Sequence, residues 1–557
     1  YHLWAKYNFY IGNNSEAIAA QQTHLNMELS ISENKYTKNV LDAQRTLSQL
    51  NMLGMWNAFG PHGKKQVKRF QESFIRIGAD YIKGVKTYIE DNFASIDESE
   101  QRKLWSSFSN WFFNTTPYMG INGSAAECIY NSILFSKGLL LSAAIGTIPN
   151  YCWSDVKDAL KNDDMAIEFI SFRNIMGEEV YYAVSITSDD KEPVIHPLFT
   201  DFEYEDLDII DEKCYEDSRM FDLVIRPIEI PERINNIYFS PTGVLNTIAI
   251  ENIVDSLGIR SCEKWNMYRL TSTRELLSEC NSVTDNSFKG NALIVGDLDY
   301  NCSLDQNNDI TDSSKPIAFD RFRGVNRAIV QPLLYSKPEV DSIASLTITN
   351  NISTQVISGS RGTEEALKFY CQKPINILHL STHGFFYSDE QIKENDLESD
   401  KKYKFLFREE ADNPEDLAMT RSALVMSGGN NTMRGIQVPI GREDGLLTAM
   451  EISKLSLDYC DLVSLSACET ALGKVSQEGV YGLQRGFKIA GAKSILMSLW
   501  KVPDDATCRI MQEFYNNLFD GQTKIDALKN AQTTIKADPN FENPSNWAGW
   551  ILLDALN

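Results

Sequence analysis

Positive charge is scarce in this sequence of 557 residues: 53 lysines and arginines face 76 aspartates and glutamates, for a formal net charge of −23. With a pI near 4.8, direct nucleic-acid binding is excluded as the main activity, since a phosphate backbone rewards net positive charge. Long apolar runs are missing too. The longest, Gly138–Ile145, falls far short of the roughly 20 residues a membrane-spanning helix needs, so no membrane role is expected. Cysteine is sparse, with ten residues, no Cys-x-x-Cys pair and no evenly spaced framework. Free thiols in a reducing, cytoplasmic setting are expected rather than a disulfide scaffold. No signal-peptide pattern opens the chain, and Tyr1 in place of methionine reads as a start inside a larger protein.

What is present is ordinary globular composition, 43% hydrophobic and 23% charged. That excludes wholesale disorder and, at this length, predicts two to four folding units. Residues 1–150 read as α-helical. Leu3–Gly12 followed by Glu16-Ala17-Ile18 sets aromatic and small residues at helical spacing around a glycine turn, and Leu41, Ala43, Leu47, Leu50 and Leu53 form a weaker stripe. Residues 64–93 read as one long amphipathic helix, with Phe70, Phe74, Ile75, Ile77, Tyr81 and Ile82 on or near one face. The first of these segments resembles half of a tetratricopeptide unit, and such units stack to bury their apolar faces. An irregular helical bundle is the alternative.

From about residue 165 the periodicity changes. Ala166–Phe172 and Val180–Ile186 read as strands, Glu192–Asp211 as an acidic loop or edge, and Ile237–Gly243 as a strand entering a turn. Strands follow at Ala292–Gly296, Ser345–Ile348, Ile375–Leu380, Leu462–Leu465 and Ser494–Met497. Helices are expected at Lys337–Leu346, Thr363–Cys371, Leu447–Leu455 and Gly479–Ala490. Apolar strands alternating with helices predict an α/β fold with a mostly parallel sheet flanked by helices. Between Asp389 and Asp416, eleven acidic and five basic residues with Pro414 read as a surface loop, or as a cleavable activation loop beside an active site.

Two strand ends carry candidate chemistry. Ile377–Leu380 leads to His383-Gly384, and Leu462–Leu465 leads to Ser466-Ala467-Cys468. In an open parallel sheet, reactive groups collect at the carboxyl ends of strands, so neighbouring strands would bring His383 and Cys468 to one edge. A thiol of pKa ~8.5 is a few per cent thiolate at neutral pH, and an adjacent imidazole raises that fraction. His383 is the residue type suited to remove that proton and return it to a leaving amine. The backbone N–H groups of Gly384 and Cys468 are candidate donors to a tetrahedral oxyanion, one such donor being worth about 3–4 kcal/mol of barrier. His379, four residues before His383, reads as a packed core histidine, because no carboxylate or cysteine at ligand spacing joins the pair. Asp297-Leu-Asp299-Tyr-Asn301 lacks the glycine and closing glutamate of a calcium loop. No metal is expected.

With His383-Gly384, Ser466-Ala467-Cys468, Leu424–Asn430, Asp444–Ile452, Gly491–Asp505 and Trp547–Trp550 in this order, the chain resembles the CHAT family, a caspase- and separase-like branch of the cysteine peptidases known from bacteria. The resemblance implies a catalytic caspase-like domain over 290–557, an inactive caspase-like lobe over 151–289, and a tetratricopeptide-like regulatory region over 1–150. It implies a thiol protease with a His383/Cys468 dyad, Gly384 in the oxyanion hole, a thioester intermediate and no cofactor. The substrate would be a protein or peptide, and a regulatory protein bound to the helical region would gate cleavage. In caspase-like folds the stretch Trp500-Lys501-Val-Pro-Asp504-Asp505 would line the pocket for the residue before the scissile bond. Asp504 or Asp505 would favour a basic residue there and Lys501 an acidic one. Gln-Ala-Cys-x-Gly is replaced by Ser466-Ala-Cys-Glu-Thr, which departs from the aspartate-specific pattern. A catalytically silent scaffold whose helices bind a partner is the alternative.

Overall fold

The computed structural model describes all residues except 11–12, 33, 59–63, 121–124, 175, 206–213, 279–289, 304–328, 387–413, 437, 440, 468–472, 477–478 and 557. The chain forms two compact units. One comprises residues 1–206, 227–233 and 272–277, and the other 207–226, 234–271 and 278–557.

The first unit opens with helices His2–Tyr10, Asn14–Ile31, Lys38–Asn57, Lys64–Phe93 and Glu98–Asn114. The long helix covers the span read from the sequence, and Phe74, Ile77, Tyr81, Ile82, Val85, Ile89 and Phe93 are buried along it at three- and four-residue spacing. Ile77 packs with Leu25, Val40, Ala43 and Leu47, which ties three helices into one core. Asp97 and Glu100 close a reciprocal capping box at the start of Glu98–Asn114. Strands β1 (Asp164–Arg173), β2 (Glu179–Thr187) and β3 (Val194–Thr200) then form an antiparallel meander. The acidic stretch after 192 is thus an edge strand followed by a helical turn, Asp201–Glu205. Behind β1, Lys137 Nζ lies 3.0 Å from Glu168 Oε2, both fully buried. The other carboxylate oxygen accepts from Ser272 Oγ, Thr273 N and Thr273 Oγ1 at 2.6–2.9 Å. Such saturation is what allows a charge to stay in an interior.

The second unit holds the remaining strands: β4 (Asn236–Ser240), β5 (Asn266–Arg269), β6 (Asn291–Leu298), β7 (Ser353–Gly359), β8 (Ile377–Ser381), β9 (Gly384–Phe386), β10 (Ser422–Val425), β11 (Leu446–Thr448), β12 (Leu462–Ser466), β13 (Gly473–Ser476), β14 (Gly479–Gly482), β15 (Ser494–Ser498) and β16 (Trp550–Leu553). Its main sheet has the order β4-β5-β16-β15-β12-β8-β6-β7. Strands β15, β12, β8, β6 and β7 are mutually parallel, as are β4, β5 and β16, and the two blocks meet antiparallel at β15 and β16. The mostly parallel, helix-flanked sheet expected from the sequence is present. Every residue of β8, β12 and β15 is buried, which explains why they are mostly apolar and do not alternate with charged residues.

Four local expectations are corrected. Ser345–Ile348 is not a strand: it lies in helix Ser336–Thr349, whose buried Val340, Ile343, Ala344 and Thr347 keep helical spacing, and the strand is the more polar β7 that follows. Leu447–Leu455 begins as β11 before its short helix Ala449–Ile452, and Gly479–Ala490 begins as β14 before helix Leu483–Ile489. The acidic segment 389–416 is not loop throughout, because helix Pro414–Arg421 starts within it, while 389–413 lie outside the described residues.

Candidate active site

The site is built on two adjacent strands. Parallel β8 and β12 pair Leu462 with Ile377 and run in register to Ser466 opposite Ser381. Beyond the last pair, Thr382 N–H donates to the Ser466 carbonyl at 3.3 Å, and Ser498 Oγ on β15 donates to the Ala467 carbonyl at 3.3 Å. The three strand ends are stitched together up to the residue before Cys468. Cys468 itself lies outside the described residues.

His383 follows β8 by two residues and is half-buried. Its carbonyl accepts from Val425 N–H on β10 at 2.8 Å, and the Thr382 hydroxyl donates to the Val425 carbonyl. Its ring sits 5.3 Å from the ring of Tyr300, whose hydroxyl meets Thr382 Oγ1 at 3.2 Å. His383 Nε2 lies 2.7 Å from the backbone carbonyl oxygen of Gln331. A carbonyl can only accept, so Nε2 carries the hydrogen and the neutral imidazole keeps its lone pair on Nδ1. Burial lowers the imidazole pKa below its ordinary value. The Gln331 carbonyl and Asp504 oppose that shift, and Lys501 adds to it. A histidine neutral near physiological pH, with one nitrogen fixed as donor, is equipped to accept a proton at the other.

Gly384 opens β9, which with β10 and β11 makes a small antiparallel sheet; Gly384 pairs with Leu424 there. The remaining predicted residues follow β15. The Trp500 indole N–H donates to the Ser545 carbonyl at 3.0 Å, and its ring lies tilted beside that of Tyr215, 5.4 Å between centroids. Asp504 Oδ2 accepts from Tyr335 N–H at 2.9 Å, and Asp505 Oδ1 accepts from Ala506 N–H at 2.9 Å. Lys501 is exposed, and among the described residues no ion pair involves it. Asp504, Lys501 and the Gln331–Tyr335 strap therefore belong to the surroundings of His383, whereas Trp500 and Asp505 serve local packing and capping. Gln331 escaped the sequence reading because it acts through its backbone carbonyl, which leaves no trace in residue type.

His379 is fully buried. A carboxylate does join it, from a helix 40 residues earlier: Glu339 Oε1 lies 2.8 Å from His379 Nε2. Tyr515 OH approaches His379 Nδ1 at 3.5 Å and Ser464 Oγ at 2.8 Å. The set is a buried polar chain between helices Ser336–Thr349 and Asp504–Phe519 and the centre of the sheet. Elsewhere, Glu364, Glu443 and Glu451 bring carboxylate oxygens within 4.8 Å of one another. Lys368 Nζ lies 3.3, 2.8 and 3.1 Å from them, so an ammonium stands where a metal ion would. Burial and the neighbouring Glu451 hold the Glu364 carboxyl well above the usual carboxylate range. Asp444 is pushed up to about 7, chiefly by burial.

The CHAT domain model matches residues 218–554, most of the chain. The chain belongs to the CHAT family. Within curated sequences this CHAT protein shares 38% identity over 108 residues with Tetratricopeptide repeat protein 28 of Homo sapiens and 37% over 108 residues with its Mus musculus counterpart. The shared stretch is 19% of this chain and 4% of either relative. Solved structures similar to it include the Arg-specific cysteine proteinase gingipain R, at 10% identity and TM-score 0.33, with 58% of this chain and 64% of that one covered. A Saccharomyces cerevisiae separase–securin complex aligns at 9% identity and TM-score 0.43, covering 99% of this chain and 46% of that one. Among the described residues, no helix of the CHAT protein is long and apolar enough to cross a membrane.

Proposed function

We propose that this CHAT protein is a cysteine endopeptidase in which Cys468 is the nucleophile and His383 the general acid and base. The observation that carries the reading is the register of β8 and β12. Ser381 and Ser466 are paired, and the sequence reaches His383 and Cys468 two residues after each. The tautomer set by the Gln331 carbonyl leaves Nδ1 as the basic nitrogen. In the reaction, His383 takes the Cys468 proton and the thiolate sulfur adds to the scissile carbonyl. The oxyanion is held by the N–H groups of Gly384 and Cys468. Collapse of the tetrahedral species breaks the C–N bond, and the imidazolium gives its proton to the departing amine. Water, deprotonated by His383, then hydrolyses the thioester to the free carboxylate and the thiol. No step requires a metal or organic cofactor.

Two features concern selectivity and control. Asp504 is committed to Tyr335 N–H and Asp505 to Ala506 N–H, while exposed Lys501 is near enough to His383 to lower its pKa. That arrangement favours an acidic side chain before the scissile bond. The catalytic region is taken as residues 290–557, after a silent lobe over 151–289. The helical residues 1–150 would receive a regulatory protein in the cytoplasm, and the free chain would be weakly active. The test is digestion of a mixed peptide library by the wild-type chain and by Cys468→Ala, read by mass spectrometry. Cuts that vanish in the variant support the peptidase. A wild type that cuts nothing and whose Cys468 is inert to alkylation contradicts it in favour of a silent scaffold.

A further inference from the structure

Asn430 is fully buried at the start of the short helix Gly429–Met433, which follows β10 after three residues. Its side chain is used at every polar position toward two distant segments. Oδ1 accepts from Val330 N–H at 3.0 Å, and Nδ2 donates to the Val330 carbonyl at 3.0 Å and to Asn301 Oδ1 at 3.1 Å. Its own N–H donates to the Tyr300 carbonyl at 3.0 Å. The amide thus mimics a strand neighbour for Val330, and the next carbonyl along, that of Gln331, is the one 2.7 Å from His383 Nε2. Tyr300, held by the Asn430 backbone, supplies the ring beside the imidazole.

The same short segment fixes the histidine main chain, since Val425 N–H donates to the His383 carbonyl. Its position is in turn set by two glycines: a Cβ on Gly429 would meet the Gly445 carbonyl oxygen at 2.5 Å, so the backbones touch directly. We propose that Asn430 is the positioning residue of the acid/base group: it clamps Val330 and Tyr300 so that the Gln331 carbonyl and the Tyr300 ring hold His383 in one tautomer and one orientation. The proposal rests on the peptidase reading for its kinetic consequence, though not for its geometry. An asparagine suits the task because one side chain must accept and donate at once, which neither aspartate nor a hydroxyl can do with the same reach.

The test uses the full chain labelled with ¹⁵N-histidine, with the His383 resonances identified by their loss in His383→Gln. Wild type is expected to show neutral His383 with its hydrogen on Nε2. In Asn430→Ala the Nδ1–H form should gain population, and kcat for a Cys468-dependent peptide should fall about 10–100-fold with KM within about twofold, the range of a displaced catalytic group. A variant that keeps both the tautomer and kcat overturns the proposal. Should Asn430→Ala fail to fold, Asn430→Asp keeps the acceptor for Val330 N–H but removes the donor to the Val330 carbonyl. A tautomer shift with a kcat loss of about 2–10-fold is then expected, and no change in either overturns the clamp. If wild type shows no Cys468-dependent cleavage, the peptidase reading fails, and the tautomer measurement alone still decides the clamp.

Discussion

Ser381 and Ser466 end two neighbouring parallel strands side by side, and each is followed within two residues by one half of the proposed dyad. The pairing brings Ser381 and Ser466, 85 residues apart in sequence, side by side at the carboxyl ends of their strands. The two strands are buried along their whole length, the kind of core element that opens least readily. The imidazole is then tuned by groups from outside those strands: Gln331, Tyr300, Lys501 and Asp504.

Substrate charge is expected to be read by Lys501. In Lys501→Glu, selection in a peptide library should turn from acidic toward basic residues before the cut, a change of about tenfold or more in relative kcat/KM. An unaltered set of cut sites would contradict this assignment.

The carboxylate cage around Lys368 predicts a pH dependence. Asp444 has its pKa raised to about 7 in the fold, with burial first and the Leu446 N–H opposing. A carboxyl whose folded pKa is raised binds its proton more tightly in the native state. The resulting stability is fully present below the ordinary carboxylate range and is lost as pH rises through about 7. Urea unfolding should show stability falling by on the order of 1–3 kcal/mol between about pH 5 and about pH 8, and Asp444→Asn should flatten the change. Equal slopes in wild type and variant would contradict it.

The buried pair Lys137–Glu168 predicts that breaking one side is costly. Lys137→Met leaves a carboxylate in the interior with only hydroxyl and amide donors, and should lose about 3–5 kcal/mol by urea unfolding. A loss below about 1 kcal/mol would show that water reaches the pair.

Gly549 allows the Trp500 indole to lie against the backbone, since a Cβ there would meet ring atoms at 2.6–2.8 Å. Gly549→Ala should cost about 1–3 kcal/mol by displacing the ring, seen as a lower melting temperature and altered tryptophan fluorescence. A variant unchanged in both would mean that the C-terminal segment yields freely.

How much of this was legible depended on where each residue's partners lie in sequence. The long helix Lys64–Phe93 was legible because its buried residues repeat every three or four positions, and β8, β12 and β15 because strands buried on both faces are mostly apolar instead of alternating. Ser345–Ile348 misled because β-branched Thr347 and Ile348 sit in a half-exposed helix, while the strand after it, β7, lies at the sheet edge and is half polar. β16 escaped the reading because it completes the sheet from the last residues of the chain. His383 could be singled out from its strand and glycine. Its partners could not, because Gln331 contributes a backbone atom and Asn430 acts through Val330 and Asn301, 100 and 129 residues away.

The claim that His383 activates Cys468 is tested most directly by the rate of Cys468 alkylation with iodoacetamide as a function of pH, in wild type and in His383→Gln. Burial raises the thiols of Cys128, Cys262, Cys302, Cys460 and Cys508 to about 11 or 12, so they form a slow background. Wild-type Cys468 is predicted to react rapidly already below pH ~7, and His383→Gln to move that onset up to the ordinary thiol value of ~8.5. Identical pH profiles in the two proteins would contradict the dyad.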